Sequence, residues 1–176
     1  MASLAIDPEI AVSVEEYLHS VYEPDMDYVD GVLEDRNVGE LIHWRIQLAL
    51  LDMLRTGEGL GAYFVVQKTR LQVSTNRFRV PDTCLIPRSQ LGERILLHAP
   101  MLCVEVLSPE DRFSRTEIKC QDYLRMGVPE VWIVDPQTRT VHVLRGESTT
   151  KHREGPIRLE GTPAQIDVTE LFNTLN

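Results

Sequence analysis

The chain has 176 residues, with 18 basic and 27 acidic side chains and a formal net charge of −9. That length suits one domain with a sizeable core and leaves two full domains cramped; the acidic balance argues against broad, non-specific nucleic-acid binding, which needs a basic footprint, while leaving room for a local basic groove. Hydrophobic residues make up 43% and charged residues 26%, no apolar run approaches the roughly 18 residues of a membrane span, and the start "MASLAIDPEIAVSVEEYL" lacks the basic and apolar regions of a signal peptide, so a cytosolic (cytoplasmic) globular protein is expected.

In chain order, "SVEEYLHS" (13–20) reads as a short helix that Ser13 caps, with Glu16 three residues on. "DYVDGVLEDR" alternates around Gly31 and predicts a strand pair or a bent strand. The strongest helix runs over about 38–56. Asn37 with Glu40 makes a capping-box-like start, Ile42, Ile46, Leu50 and Leu54 recur at helical spacing, and Gly57 stops it. Residues 62–73 and 78–86 read as strands joined by "STN". A loop follows over 87–100, with room for one helical turn. "MLCVEVL" is an almost continuous apolar run, the pattern of a strand covered on both faces. A second helix is predicted over about 110–126, with a start signal at Ser114 and Glu117, a stop at Gly127 and a firm end at Pro129. "EVWIVDP", the turn "PQTR" and "TVHVLRG" form a hairpin. Residues 146–163 are polar and turn-rich, and "VTELFN" closes the chain as a short helix. Strands and helices are intermixed with no repeat or linker, which predicts one domain over 1–176.

Two strands each carry a single carboxylate. Asp82 follows Pro81 in the middle of the segment 78–86; proline removes a ladder hydrogen bond, so this strand lies at an edge or kinks there. Glu105 lies near the end of the most buried strand, where an ionised carboxylate is costly unless it is paired or binds a metal. Carboxylates on neighbouring strands make a ready site for a hard cation such as Mg²⁺, which accepts one or two of them and keeps several waters. Either residue alone has an ordinary alternative: Asp82 as a strand-end group bonding backbone, Glu105 as an arginine partner. Lys119 stands at the border of the helix face made by Cys120, Tyr123 and Leu124, and its stem can lie along apolar surface while the ammonium reaches back towards the preceding strand; otherwise it is a boundary lysine.

The arginines gather somewhat. Arg70, Arg77, Arg79 and Arg88 flank Asp82, and Arg112 and Arg115 follow Glu105; a mixed-charge surface explains them at least as well as a groove. Cys84, Cys103 and Cys120 are odd in number and form no C-x-x-C, which argues against a disulfide framework or zinc ribbon. A thiolate cluster beside the carboxylates is conceivable, but buried cysteines usually act as small hydrophobes.

Taken together, "VPDTCLIP", "LCVEVLSPEDR", a lysine four residues before "YLRMGVPEVWIVDP", and "VHVLRG" resemble the Uma-two family of bacterial proteins described as putative restriction endonucleases, within the PD-(D/E)XK nuclease superfamily. "SVEEYL", "DYVDGVLE", His43 on the helix that follows, and "IDVTELF" extend the resemblance over most of the chain. It implies an α/β (mixed α+β) restriction-endonuclease-like core, a central mixed sheet flanked by helices, and a Mg²⁺- or Mn²⁺-dependent phosphodiesterase site acting on DNA. Asp82 fills the "PD" position and Glu105 the acidic position of the next strand, with the Val106 carbonyl as a further metal ligand. The superfamily places lysine two residues after that acid; here Leu107 stands there, and Lys119 would have to substitute from the helix. In this superfamily an acidic residue of the first core helix often joins the site, which brings in Glu40 and, on the same helix face, His43; the alternatives are a capping role for Glu40 and a core contact for His43. A homodimer is implied for double-strand cleavage, with Tyr63, Phe64 and Val66 as interface or core. The other readings are a catalytically inactive nuclease fold that binds nucleic acid or protein, and an enzyme acting on another phosphate ester.

Overall fold

The computed structural model describes residues 11–36, 40–109 and 113–176. Helix α1 (Val14–His19) starts where Ser13 accepts a hydrogen bond from the Glu16 N–H. Strands β1 (Asp27–Val29) and β2 (Val32–Glu34) form a hairpin about Asp30–Gly31, both at positive φ. Helix α2 (Leu41–Glu58) follows. The next four strands are β3 (Phe64–Gln67), β4 (Leu71–Ser74), β5 (Arg77–Arg79) and β6 (Thr83–Ile86). After a 3₁₀ turn at Arg88–Gln90 come β7 (Leu102–Val106), α3 (Phe113–Met126) and the hairpin of β8 (Val131–Asp135) and β9 (Thr140–Arg145). The chain ends with β10 (Ser148–His152), β11 (Pro156–Arg158), β12 (Gln165–Asp167) and α4 (Val168–Asn173).

A six-stranded mixed sheet in the order β10-β9-β8-β7-β6-β3 forms the centre. β7 pairs antiparallel with β6 and parallel with β8. Its alternation explains the continuous apolar run in the sequence. Leu102, Val104 and Val106 face a core built with Ile46, Leu50 and Leu54 of α2 and Leu171 and Phe172 of α4. Cys103 and Leu107 face the opposite core with Cys120 and Tyr123 of α3. Side chains two apart share a face, so both faces need apolar residues. Each fully buried leucine here contributes roughly 1.5–3 kcal/mol relative to exposure. A smaller sheet, β2-β1-β5-β4, and the pair β11-β12 complete the fold.

The segments read as single strands at 62–73 and 78–86 are each broken in two. They form one long bent hairpin: β3 pairs β6 in the large sheet, and β4 pairs β5 in the small one. One arm breaks at Lys68, at φ 51°. The other breaks over Val80–Asp82, where Pro81 has no N–H for a ladder. Asp82 therefore lies in the break and not within a strand. Residues 146–163, read as turns, contain β10 and β11. β10 is an exposed edge strand, so it carries none of the apolar alternation by which strands are recognised.

The first long helix runs on past Gly57 to Glu58, and Gly59 is its C-cap. Gly57 serves a close approach instead. A Cβ there would overlap the Tyr63 hydroxyl, which donates to the Leu54 carbonyl at 2.7 Å. Ser114 already lies inside α3, and the residues before Phe113, like Asn37 of the predicted capping box, are outside those described. Gly127 ends α3 with φ 109°, a left-handed position that glycine adopts without a Cβ clash. Tyr63 is fully buried, while Phe64 and Val66 are half-buried on β3 at the edge of the sheet. Among the described residues no helix is long and apolar enough to cross a membrane.

Candidate active site

The last register pair between β6 and β7 is Thr83 with Val104. Just before this pair the chain leaves the ladder at Asp82, and on β7 the residue after Val104 is Glu105. The kink at Pro81 frees Asp82 from the ladder while the Val106 N–H on β7 donates to its Oδ2 at 2.9 Å. Glu105 shares its face of β7 with Cys103 and points at α3. There Lys119 and Tyr123, one helical turn apart, both reach it. The Tyr123 hydroxyl donates to Oε1 at 2.6 Å, and the Lys119 ammonium lies 3.1 Å from Oε1 and 3.2 Å from Oε2. Lys119 also donates to the Val80 carbonyl at 3.0 Å, on the strand break itself. Asp82, Glu105 and Lys119 thus line one cleft of about 140 Å³.

His43, in the first turn of α2, places its Nε2 3.5 Å from Asp82 Oδ2. It lines the cleft, as does Val106. Glu40 is elsewhere: it is exposed at the N-cap of α2, makes no side-chain capping bond and is not among the cleft's lining residues. Leu107 is buried among Cys84, Cys103 and Tyr123, so its position presents no charge to the site.

Two residues at the cleft carry no signal in the sequence pattern. Arg36, just beyond β2, donates to Asp82 Oδ1 at 2.8 Å. Asp27 of β1 lies 3.5 Å from the Lys119 ammonium and accepts the Val80 N–H at 2.7 Å. Arg79 reaches the same Asp27 at 3.3 Å, Glu34 at 2.7 Å and Asp122 of α3 at 2.8 Å. These contacts tie the small sheet to the helix that carries Lys119. The arginines flanking Asp82 make no open basic groove. Arg70 is held by Asp25, Arg77 by Asp30 and Asp122, Arg79 is buried, and Arg88 stacks over Phe64. Arg112 is outside the described residues. Arg115 is half-exposed and donates to the Asp35 carbonyl at the cleft's edge.

The two carboxylates are held in opposite protonation regimes. Burial would raise the Asp82 pKa, but the hydrogen bond from His43 and the charges of Arg36 and Lys119 pull it down to about 2. Burial pushes Glu105 up to about 7; Lys119 opposes this and Asp82 adds to it. Burial would lower the Lys119 pKa, but the charges of Asp27 and Glu105 raise it, so the ammonium stays charged. The three cysteines are free and buried, with Cys84 and Cys103 paired across β6 and β7. Burial drives the Cys84 thiol up to about 12 and the other two well above their usual value, which leaves them protonated hydrophobes in the α3-side core. Among the described residues no group of three His, Cys, Asp or Glu side chains is placed to hold a metal by itself.

The sequence pattern of the Uma2 family, described as "putative restriction endonuclease", matches residues 14–175. The chain belongs to this family. It is also similar in fold to a solved protein from Anabaena variabilis, described as a putative nuclease of the DUF820 group, with a TM-score of 0.83 and 21% identity over 94% of this chain and 99% of that one. A further similarity, to a DrdV–DNA complex, has a TM-score of 0.38 and 12% identity over 76% of this chain and 13% of that one. No curated protein matches. This Uma2 member therefore has the mixed α+β nuclease-like fold, with Asp82 in the break just before β6 and Glu105 on the neighbouring strand β7.

Proposed function

We propose that the protein is a DNA endonuclease that hydrolyses phosphodiester bonds with Mg²⁺ or Mn²⁺. The observation that carries this reading is the convergence of Asp82, Glu105 and the Lys119 ammonium on one cleft. The donor set fits a hard divalent cation: two buried carboxylates, one in the break before β6 and one on β7, line the same cleft, and such a cation needs only one or two while it keeps its waters. Asp82 and Glu105 would hold it, with the Val106 carbonyl as a further oxygen. Bound there, it supplies charge for the scissile phosphate and acidity for a water.

The chain's own residues do the rest. Val106 N–H and His43 fix one oxygen of Asp82, so that carboxylate is oriented before any ligand arrives. Tyr123 does the same for Glu105. Lys119, charged and anchored on the Val80 carbonyl, offsets negative charge that develops on the phosphate; fixed donors aimed at developing charge need no reorganisation at the moment of reaction. Asp27 steadies that ammonium from its far side. Two-strand cleavage takes two such sites, which a homodimer supplies.

The test is a plasmid-nicking assay on purified protein with Mn²⁺ and Mg²⁺. Cleavage that disappears with chelator and in Asp82→Ala supports the reading; cleavage that survives both sinks it. One observation favours an inactive binding relative: the apolar Leu107 stands where the superfamily carries lysine. Under that reading no divalent ion binds, and Glu105→Gln changes no ligand binding.

A further inference from the structure

Two arginines pair with the buried carboxylates of the cleft, and they are held differently. Arg79 has a 5% exposed side chain, with ion pairs to Asp27, Glu34 and Asp122. It is a structural cross-link between the small sheet and α3. Arg36 comes from the segment after β2, outside any regular element. Its hydrogen bond among the described residues goes to one oxygen of one carboxylate, Asp82 Oδ1. Its side chain is 12% exposed and lines the cleft.

We propose that Arg36 is a displaceable place-holder: its guanidinium occupies the cation position at Asp82 until a divalent ion enters, and then turns to the DNA phosphate. This rests on the reading of the cleft as a divalent-cation site. The charges near Arg36 are those such an ion would meet, with Asp82 first, Glu105 next and Asp27 third in their pull on the guanidinium. The other Asp82 oxygen is committed to the Val106 N–H and His43. The oxygen that Arg36 holds is therefore the one that a ligand can take without breaking the backbone clamp. A guanidinium and a divalent ion on that same oxygen repel each other, so entry of the ion favours departure of the guanidinium. Arg36 keeps the buried carboxylate paired in the free protein, where an unpaired one would be destabilising. Once displaced, it remains at the mouth of the cleft, and its planar fork suits two oxygens of a phosphodiester.

The diagnostic is a reversal of sign. A residue that merely supports the site weakens metal binding when removed; a place-holder strengthens it. Mn²⁺ binding without DNA is measured by calorimetry and by the paramagnetic signal of free Mn²⁺, on wild type, Arg36→Ala, Arg36→Gln and Arg36→Lys, each checked by circular dichroism. Removing the competing charge in Arg36→Ala or Arg36→Gln is expected to tighten Mn²⁺ by about tenfold or more, with Arg36→Lys close to wild type. Equal or weaker binding by the folded Ala and Gln variants, while wild type binds, overturns the place-holder and leaves the cation site standing. No binding by wild type or any variant removes the cation site and the place-holder with it. A measurement on the unaltered protein guards against variants that do not fold: the Arg36 Nε–H resonance is expected to move as Mg²⁺ is added. A resonance that stays fixed while the ion binds refutes the displacement.

Discussion

Replacing Asp82 and Glu105 by their amides should change the stability of the metal-free protein in opposite directions. Asp82 is held at about 2 against an ordinary 3.8. Its contribution is therefore fully present above pH 3.8 and is lost as pH falls through 2. At about 1.4 kcal/mol per pH unit this comes to about 2 kcal/mol at neutral pH. Asp82→Asn forfeits it and also leaves the Arg36 guanidinium without its carboxylate. Glu105 is raised from 4.5 to about 7. Its folded form is favoured while protonated, and stability drains away as pH rises from 4.5 through 7, by about 3 kcal/mol in all. Glu105→Gln keeps one acceptor oxygen, which at the Oε1 position both Tyr123 and Lys119 reach, but cannot ionise. It should therefore match wild type near pH 4 and exceed it at pH 8, by up to about 3 kcal/mol. Urea unfolding at pH 4, 6 and 8 with chelator present measures both variants. A Glu105→Gln protein that loses as much stability at pH 8 as Asp82→Asn would refute the reasoning, because it would mean that Glu105 is stabilised as the anion.

Lys119→Met should reduce Mn²⁺-supported DNA cleavage by about two to three orders of magnitude, as loss of a fixed transition-state donor does, with melting temperature and cleavage rate reported together to separate chemistry from folding. Arg79→Ala should destabilise the fold by about 1–3 kcal/mol, because buried Asp27 and Asp122 lose their shared partner while Asp27 keeps Lys119 and Asp122 keeps Arg77; chemical denaturation reads this directly. Gly57→Ala should lose about 1 kcal/mol or more despite alanine's better helix propensity, since the added Cβ meets the buried Tyr63 hydroxyl; a thermal melt equal to wild type would show that Tyr63 can shift.

Much of the site was legible in the sequence because its parts are local. The run "MLCVEVL" announced a strand buried on both faces, and a lone acid in such a strand invited a functional reading. The period of the α3 segment put Lys119 at the border of the sheet-facing side with its ammonium reaching back towards the preceding strand, where it lies 3.2 Å from Glu105 Oε2; that Tyr123 also bonds Glu105 came from the structure. Pro81 marked a disruption beside Asp82, and the backbone does break there. The role of Glu40 was read from the habits of relatives, and the geometry leaves that residue exposed at the helix start. Strand β10 was missed because an exposed edge strand needs no apolar side chains.

The sequence by itself determined which segments bury a face and where helices begin and end within a turn or so, because these follow from side-chain periodicity over a few neighbours, while the pairing of Asp82 and Glu105 with Lys119 was an expectation that the family resemblance supplied. Only the tertiary structure decided that the hairpin of residues 64–86 changes sheets halfway, that Arg36 lies on Asp82 from 46 positions away, and that Asp27 stands behind Lys119. Those contacts depend on which strand packs beside which, and the charge of an arginine or aspartate in a polar segment says nothing about the distant partner that will neutralise it.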